Sequence, residues 1–291
     1  MNPTKVAFGG KPRIKDPRDY NLKKFNDLKT GGAVAIPPSY QTDITDIPIN
    51  MQNFLGICGA EAGTKLREVM GKVQTGAVKP LSPRATWINI KSFDGVPLDG
   101  GTTMDAIFQS GSKFGYAPLT DLVEDTTLPV ATYSEQSLIT PQITSDAQPN
   151  VLQSYAYNDN PSWQQVCEDI YVNKAVILLV QVGKEWYTAP DGVETWQESQ
   201  IAPIRPPAQI IDGHFICAYG YDANYIYFIN SWSTSWCRQG IGYFAQNYAP
   251  FFVEDGTEVI PPVGFVPALV QQKVSLLQRI IAKLQALLAG Q

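Results

Sequence analysis

Cys58, His214 and Asn230 together fit a thiol acyl-transfer site. The chain has 291 residues and one histidine. An imidazole general base can therefore come only from His214, and a nucleophile must meet it there. Asn230 follows 16 residues later. Its amide oxygen can accept the imidazole N–H and fix the ring, which is the third role that a nucleophile–base pair requires.

The nucleophile candidate lies where a loop passes into a helix. Gly56 precedes Cys58, and a run of helix-forming residues then continues to about Met70. Cys58 is therefore expected near a helix N-terminus. Unpaired backbone N–H groups and the positive end of the helix dipole lower the pKa of a thiol there, and a nearby imidazolium lowers it further.

The base candidate lies in a predicted β-hairpin. Residues 211–221 are mostly apolar and indicate a strand, residues 222–224 indicate a turn, and residues 225–229 indicate a second strand. The hairpin returns Asn230 towards His214. Because side chains alternate along a strand, Cys217 is expected to face away from the imidazole.

Three blocks around these residues resemble the papain-like cysteine protease family. They are Gln52 to Cys58 with Ala60 and Ala62, then Gly213-His214 to Gly220-Tyr221, and then Asn230-Ser231-Trp232 with Trp236 and Gly240 to Phe244. In this family the His and Asn follow the Cys by roughly 130–150 residues. The separations here are 156 and 172, so modest insertions are expected. The resemblance covers residues 36–253.

The resemblance implies an α+β, papain-like two-lobed fold, with a helical lobe, an antiparallel β lobe and an active-site cleft between them. It makes Cys58 the nucleophile, His214 the general base and then acid, and Asn230 the orienting residue. Gln52 would supply the side-chain donor of the oxyanion hole beside the backbone N–H of Cys58. The remaining implied roles are substrate binding for Gly100, Gly101 and Gly213, and support of the His–Asn pair for Trp232 and Trp236.

Four positions depart from the family pattern. Gly59 stands where the family usually has Trp, and Leu55 stands where many secreted members have a disulfide Cys. Ser233 and Cys237 replace two glycines. These changes bear on substrate fit and loop geometry more than on the chemistry.

Composition narrows the class of protein. The hydrophobic share of 44% and the charged share of 17% are ordinary for a globular chain. A net charge of −5 argues against nucleic acid as a partner, because the chain has no basic stripe to neutralise phosphates. One histidine and four scattered cysteines give no zinc-ligand spacing. We therefore expect neither a metal nor another cofactor.

The chain divides into four predicted regions. Residues 1–35 form a basic extension without the apolar stretch of a secretory signal peptide. Three interpretations of it stay open: an extended strap, a short inhibitory segment, or partial disorder. Residues 36–253 form the protease-like domain, within which 130–160 reads as a long polar connection. Residues 254–267 form a Pro-rich linker, and 268–291 a C-terminal amphipathic helix.

The C-terminal helix carries a short heptad seam of apolar residues. It is not a transmembrane span, because polar residues interrupt it every few positions. It could dock on its own domain, mediate self-association or docking on a larger assembly, or lie at a membrane surface. The lack of a secretory signal peptide predicts synthesis in the cytoplasm, with release or incorporation into a particle as further options. The same feature is typical of a bacterial or phage protein.

The sequence predicts a cysteine endopeptidase that acts on a peptide or protein substrate through a thioester acyl-enzyme. Two alternatives remain. One is a catalytically silent papain-like module that binds a peptide in a larger assembly such as a phage particle. The other is a thiol acyltransferase.

Overall fold

The fold combines helices with one mixed β-sheet, and the computed structural model describes residues 7–16, 19–32, 34–187 and 203–259. The helices are α1 Leu22–Thr30, α2 Cys58–Thr75, α3 Pro83–Lys91, α4 Met104–Lys113, α5 Val130–Tyr133, α6 Pro141–Ala147 and α7 Trp163–Asn173. The strands are β1 Gly10–Lys11, β2 Tyr40–Gln41, β3 Thr102–Thr103, β4 Tyr155–Asp159, β5 Val176–Val182, β6 Asp212–Tyr221, β7 Tyr225–Ile229, β8 Ile241–Ala245 and β9 Phe252–Glu258. The α+β prediction is confirmed.

Strand β6 organises the sheet. The strand order is β3-β1-β6-β5-β9-β4, while β2 and β7 also pair with β6, and β8 pairs with β7. The pairs that β6 makes with β5 and β7 are antiparallel, whereas β1 pairs with β3 in parallel. The hairpin predicted around His214 is confirmed as β6 and β7.

Helix α2 packs against the centre of this sheet. It begins at Cys58 and runs to Thr75, five residues beyond the expected end at Met70. The last turn is solvent-exposed, as Val73 shows. The pattern of buried apolar residues that identifies the helix therefore stops before the helix itself does. Gly76 closes it with φ 76° and donates its N–H to the Lys72 carbonyl. A left-handed glycine is a common helix stop.

Helices α3 and α4 complete the helical lobe beside α2. The Ser82 side chain caps α3 by accepting the Ala85 N–H, and the Thr103 side chain caps α4 by accepting the Ala106 N–H. Such caps satisfy backbone donors that have no partner within the helix. The apolar pattern of the sequence predicts helices over residues 85–93 and 104–113, so it places α4 at its observed bounds and α3 within two residues at each end.

The predicted polar connection at residues 130–160 contains more helix and strand than its polar composition indicates. It contains α5, α6 and β4. Tyr133, Ile143 and Ala147 are buried within it, and Thr140 caps α6 ahead of Pro141. Each element is too short for a periodic pattern to stand out among Ser, Thr and Gln.

The C-terminal part of the described chain belongs to the sheet. Strand β9 pairs with β5 and β4 and crosses the boundary predicted at residue 253. Val259 then packs with Leu22 and Phe25 of α1. The predicted helix at 268–291 lies outside the described residues. Among the ranges that are described, no helix has the length and apolarity to cross a bilayer.

Two apolar layers flank β6. Phe215, Cys217 and Tyr219 face the core under α2, whereas Ile216 and Ala218 face a second core that is rich in aromatic rings. The alternation of side chains along the strand therefore separates Cys217 from His214, as the sequence predicts.

Candidate active site

Cys58 is the first residue of α2 and is fully buried. Burial raises the pKa of its thiol to about 12, although backbone hydrogen bonds from Phe215, Gly9 and Gly59 act in the opposite direction. The sequence predicts a lowered thiol pKa from the helix N-terminus. In this structure desolvation outweighs the helix, so the thiol is neutral at pH 7.

His214 and Asn230 are brought together by the β6–β7 hairpin. The His214 Nε2 atom lies 2.8 Å from the Asn230 Oδ1 atom. The backbone N–H of Asn230 donates to the Gly240 carbonyl at 2.9 Å, which holds the end of β7. The second ring nitrogen, Nδ1, has no hydrogen-bond partner within the described ranges. Burial lowers the pKa of the imidazole to about 4, so it is also neutral at pH 7.

Aromatic rings enclose the imidazole. Trp232 lies 5.3 Å from it between ring centroids, and Trp186 meets it in a T-shaped arrangement at the same distance. Trp236 stacks on Trp186 at 5.9 Å, while the Trp186 indole N–H donates to the Tyr248 hydroxyl at 2.9 Å. Of the two predicted Trp residues, Trp232 contacts His214 directly, whereas Trp236 contacts Trp186 and Trp232. The structure adds Trp186, which no motif in the sequence marks.

Gln52 is buried, and the donors of its side chain are already engaged. Its Nε2 atom donates to the Ala7 carbonyl at 2.8 Å and to the Leu55 carbonyl at 2.9 Å. Its side-chain oxygen accepts from the Ser231 hydroxyl. The amide group thus already holds a carbonyl oxygen that comes from the N-terminal part of the chain.

That carbonyl belongs to Ala7. We call residues 7–13 the cleft segment. The Ala7 N–H donates to the Asn53 carbonyl at 3.1 Å, and the Gly9 N–H donates to the Gly213 carbonyl at 3.3 Å. The Thr102 N–H in turn donates to the Gly9 carbonyl at 2.8 Å. Since the Gly9 amide also reaches the Cys58 thiol, the cleft segment covers the candidate nucleophile.

Glycines on both sides permit this close approach. A Cβ atom on Gly101 would lie 1.9 Å from the Gly9 carbonyl oxygen, and one on Gly213 would lie 2.3 Å from the Gly10 carbonyl oxygen. Gly101 also has φ 78°, which disfavours any other residue. Gly100 differs, because its neighbours are Val96 and Pro97 of its own turn. Of the three glycines predicted to bind substrate, Gly101 and Gly213 contact the cleft segment.

Phe8 is the side chain of the cleft segment that reaches the aromatic rings. Its ring centroid lies 5.2 Å from that of Tyr187, 5.4 Å from that of Trp232 and 5.5 Å from that of His214. Tyr187 and Trp232 are stacked on each other, with an interplanar angle of 4°. Phe8 therefore packs against this stacked pair as well as against the imidazole.

Arg13 anchors the far end of the cleft segment. Its guanidinium pairs with Asp19 and with Asp159, the latter at 3.0 Å, and lies 4.4 Å above the Tyr157 ring. The backbone N–H of Arg13 donates to a Glu254 carboxylate oxygen at 2.9 Å. The segment predicted as a basic extension is thereby tied to the sheet by charge.

A buried ion pair shapes the loop that presents Gly101. The Lys91 and Asp94 side chains are each 1% exposed and lie 2.9 Å apart. Lys91 also donates to the Gly101 carbonyl, and Asp94 accepts from the Thr102 hydroxyl at 3.0 Å. The sequence analysis did not find this pair, although a Lys three residues before an Asp at a helix end is a usable signal.

The departures from the family pattern have local explanations. A Cβ atom on Gly59 would lie 2.5 Å from the Thr102 side chain, so no larger residue fits there. Leu55 is buried in the core. An apolar side chain therefore packs at the position where many secreted members have a disulfide cysteine. Ser233 and Cys237 keep positive φ values of 65° and 47° although neither is glycine. All four cysteines are free thiols.

Metal chemistry has no visible basis in the part of the chain that the structure describes. The described residues contain no group of three or more His, Cys, Asp or Glu side chains that could hold an ion.

This fold is that of the papain-like cysteine proteases. The solved structures that it matches include xylellain, a cysteine protease from Xylella fastidiosa, at 18% identity and a TM-score of 0.69, covering 88% of this chain and 97% of that one. They also include procathepsin B S9 from Trypanosoma congolense, at 10% identity and a TM-score of 0.63, covering 87% and 85%. A third is the Carica candamarcensis cysteine protease CMS1MS2 in complex with E-64, at 16% identity and a TM-score of 0.58, covering 78% and 100%. No family model matches the sequence, and no curated protein matches it.

Proposed function

We propose that the protein is a cysteine endopeptidase that uses Cys58, His214 and Asn230, here in a closed form with its cleft covered. The observation that carries the proposal is the 2.8 Å contact between His214 Nε2 and Asn230 Oδ1 in a papain-like fold whose α2 begins at Cys58. The imidazole is held at one nitrogen and leaves the other for proton transfer. The folds of the cysteine proteases that it matches support the same reaction class.

In the open form the proton passes from the Cys58 thiol to His214, and the thiolate attacks the carbonyl carbon of a peptide bond. Gln52 and the Cys58 amide stabilise the oxyanion. The C–N bond then breaks, and the imidazolium gives its proton to the leaving amine. Water attacks the thioester while His214 accepts a proton, and cleavage of the C–S bond releases the acid and restores the enzyme.

The closed form has a physical basis in the cleft segment. The Gly9 amide is one of three backbone groups, with those of Phe215 and Gly59, whose hydrogen bonds to Cys58 act against the rise in its pKa. The Ala7 carbonyl occupies the Gln52 donor that the oxyanion would need. Burial keeps both the thiol and the imidazole neutral. The cleft segment must therefore leave before catalysis.

A test uses the full chain with Phe8→Ala, which removes the side-chain contact of the cleft segment. Alkylation of Cys58 by iodoacetamide is followed against pH, located by mass spectrometry, with Cys167, Cys217 and Cys237 as internal reference thiols. We expect rapid labelling of Cys58 near pH 5 that disappears when His214→Ala is added. Labelling that rises only above about pH 8 and ignores His214 would reject the peptidase proposal.

Turnover is measured in the same variant with reduced, carboxymethylated casein. Hydrolysis should vanish with Cys58→Ser and persist with Cys237→Ser, a matched change at another buried cysteine. Transfer of the acyl group to an added amine in preference to water would instead favour the acyltransferase.

A silent peptide-binding module is the second candidate. The observation that favours it is that the cleft already holds an extended segment through backbone hydrogen bonds at Gly213 and Thr102. In that case the Phe8→Ala variant would bind peptides, and its Cys58 would react no faster than an ordinary thiol.

A further inference from the structure

Strands β7 and β8 place three tyrosines on one face of the sheet. Along β7, Phe228 is buried and packs on Trp186 beside the candidate active site, whereas Tyr225 and Tyr227 are half-buried and point the other way. Tyr243 of β8 is the register partner of Tyr227, so its side chain lies on the same face as both tyrosines of β7. The three tyrosines therefore face away from the candidate active site.

These tyrosines line a cavity of about 720 Å³, which we call the tyrosine pocket. Residues 41–49, which precede the nucleophile loop, contribute much of the remaining lining. Ile47 from this segment and Tyr219 from β6 are each 6% exposed and give the pocket an apolar floor. Of the described residues that line it, none belongs to the candidate active site. A cavity of this size with apolar walls and a few polar groups is typical of a small-molecule site.

Arg238 supplies a positive charge to the tyrosine pocket. Its side chain lines the cavity, and the residue is exposed. Burial raises the pKa of Tyr219 and of Tyr243 to about 12, and the charge of Arg238 acts against that rise. The guanidinium is therefore within electrostatic reach of both hydroxyls, which stay protonated at pH 7 and can donate hydrogen bonds. None of the described residues that line the cavity is acidic.

Two carboxylates close to the lining residues in sequence already have partners. Asp43 pairs with Lys72 at 2.9 Å. Asp222 accepts hydrogen bonds from the Tyr227 hydroxyl and from two backbone N–H groups. The complementary charge for Arg238 is therefore left for a bound anion.

We propose that the tyrosine pocket binds an aromatic carboxylate, whose ring packs among the tyrosines and whose carboxylate pairs with Arg238. This site is separate from the proposed peptidase function and does not depend on it. A guanidinium presents its N–H groups as a planar fork, which matches the two oxygens of a carboxylate. The Tyr219 and Tyr243 hydroxyls can donate further hydrogen bonds to the same anion.

The preference for an aromatic body follows from the arrangement of the walls. Tyr225 and Tyr243 meet in a T-shaped arrangement with centroids 4.9 Å apart, and Tyr227 is tilted by 43° against Tyr243 at 6.0 Å. The cluster therefore offers ring edges and ring faces in several directions. Edge-on and offset ring pairs add about twofold to tenfold in affinity beyond the area that they bury. A saturated molecule of the same size gains the burial alone.

The first test is isothermal titration calorimetry of the full-length wild-type chain at pH 7 with 2-naphthoate as the probe. Two reference compounds separate charge from ring character. 2-Naphthamide keeps the shape and lacks the charge, and it should bind at least about tenfold more weakly. trans-Decalin-2-carboxylate keeps the charge and lacks the aromatic rings, and it should bind at least about twofold more weakly. Equal affinity for 2-naphthoate and 2-naphthamide, or no saturable binding of 2-naphthoate, would overturn the proposal.

Two variants locate the bound probe. Arg238→Met should weaken 2-naphthoate at least about tenfold and leave 2-naphthamide unchanged, whereas Lys23→Met, which removes a charge elsewhere on the surface, should alter neither. Tyr243→Leu should weaken 2-naphthoate at least about twofold, and Tyr171→Leu, at a half-buried tyrosine of α7, should not. Because Arg238 is exposed, its variant is expected to fold and decides the result even if Tyr243→Leu does not fold. Unchanged affinity in Arg238→Met would overturn the site.

A final comparison separates the tyrosine pocket from the cleft. Phe8→Ala changes the cleft segment and leaves every lining residue of the tyrosine pocket intact. Its affinity for 2-naphthoate should equal that of the wild type. Binding that appears only in Phe8→Ala would place the probe in the cleft and overturn the proposal. Equal affinity for 2-naphthoate and trans-decalin-2-carboxylate would overturn the aromatic preference.

Discussion

The ring of Phe8 meets the His214 imidazole edge to face, with centroids 5.5 Å apart and an interplanar angle of 75°. One residue of the N-terminal region thus controls the environment of the candidate general base. It excludes water from the imidazole, and the neighbouring Gly9 covers Cys58. The reactivity of the thiol is therefore linked to the retention of a single aromatic side chain.

Replacing that side chain should expose the nucleophile. Burying a Phe side chain contributes about 1.5–3 kcal/mol, and 1.4 kcal/mol corresponds to a tenfold change. Phe8→Ala should therefore raise the rate of Cys58 alkylation at pH 7 at least tenfold, measured by mass spectrometry of the Cys58 peptide. Ile14→Ala is the matched control, because Ile14 is 88% exposed. An equal rate in wild type and Phe8→Ala would show that the cleft segment does not protect the thiol.

The buried imidazole should make stability depend on pH. The pKa of His214 is lowered to about 4 by burial, while an unfolded histidine titrates near 6.5. Between these values the unfolded chain binds more protons, so stability is lost as the pH falls from about 6.5 to about 4. From pH 7 to pH 5 the free energy of unfolding should decrease by about 2 kcal/mol through this group.

Urea unfolding of wild type and His214→Gln at the two pH values isolates that contribution. The variant keeps the carboxyl groups whose pKa values burial raises, such as Glu254, so their contributions cancel in the comparison. Wild type should lose about 2 kcal/mol more than His214→Gln. Equal losses would mean that the folded imidazole titrates normally.

The Lys91–Asp94 pair should be far more important to stability than a surface pair. Lys91→Met leaves the Asp94 carboxylate buried without its cation, which typically costs about 3–5 kcal/mol. The matched control is Lys23→Met, because Lys23 is 49% exposed in its pair with Asp27, and such pairs contribute about 0–1 kcal/mol. Thermal unfolding of both variants gives the comparison. If their losses are the same, the burial of Lys91 does not hold in solution.

A double variant then separates charge from shape. Lys91→Met with Asp94→Asn removes the uncompensated charge while keeping an acceptor for the Thr102 hydroxyl. It should be more stable than Lys91→Met alone, by at least about 1 kcal/mol. No recovery would indicate that Lys91 acts through its contacts with the Gly101 carbonyl and the Trp87 ring.

One loop position offers a stabilising substitution. Gln239 is exposed and has φ 51°, in the left-handed region where glycine is unstrained. Gln239→Gly should raise the free energy of unfolding by about 0.5–1 kcal/mol, because it relieves about 1–2 kcal/mol of left-handed strain and adds about 0.5–1 kcal/mol of unfolded-chain entropy. The neighbouring Arg238 is also exposed but is not among the positive-φ residues. Arg238→Gly should therefore destabilise the protein. Destabilisation by both substitutions would show that Gln239 is unstrained.

The elements around the candidate site could be largely predicted from the sequence, because their signals are local. A glycine loop followed by helix formers marks the start of α2 at Cys58, and an apolar run with a turn marks the hairpin that carries His214. The helices and strand within residues 130–160 could not be predicted, since each is too short to show a period. The end of α2 was also misjudged, because its last turn is solvent-exposed.

The residue types at the site can be read from the amino-acid sequence alone, since a single histidine, a helix-start cysteine and a following Asn leave few ways to assemble thiol chemistry. The protonation states of the thiol and the imidazole, in contrast, depend on tertiary packing. Phe8, Gly9 and Tyr187 come from distant parts of the chain and carry no local pattern. Their packing removes water from the cleft, and desolvation then keeps the Cys58 thiol and the His214 imidazole neutral. The cost of removing charge from water depends on three-dimensional burial, which sequence spacing does not encode.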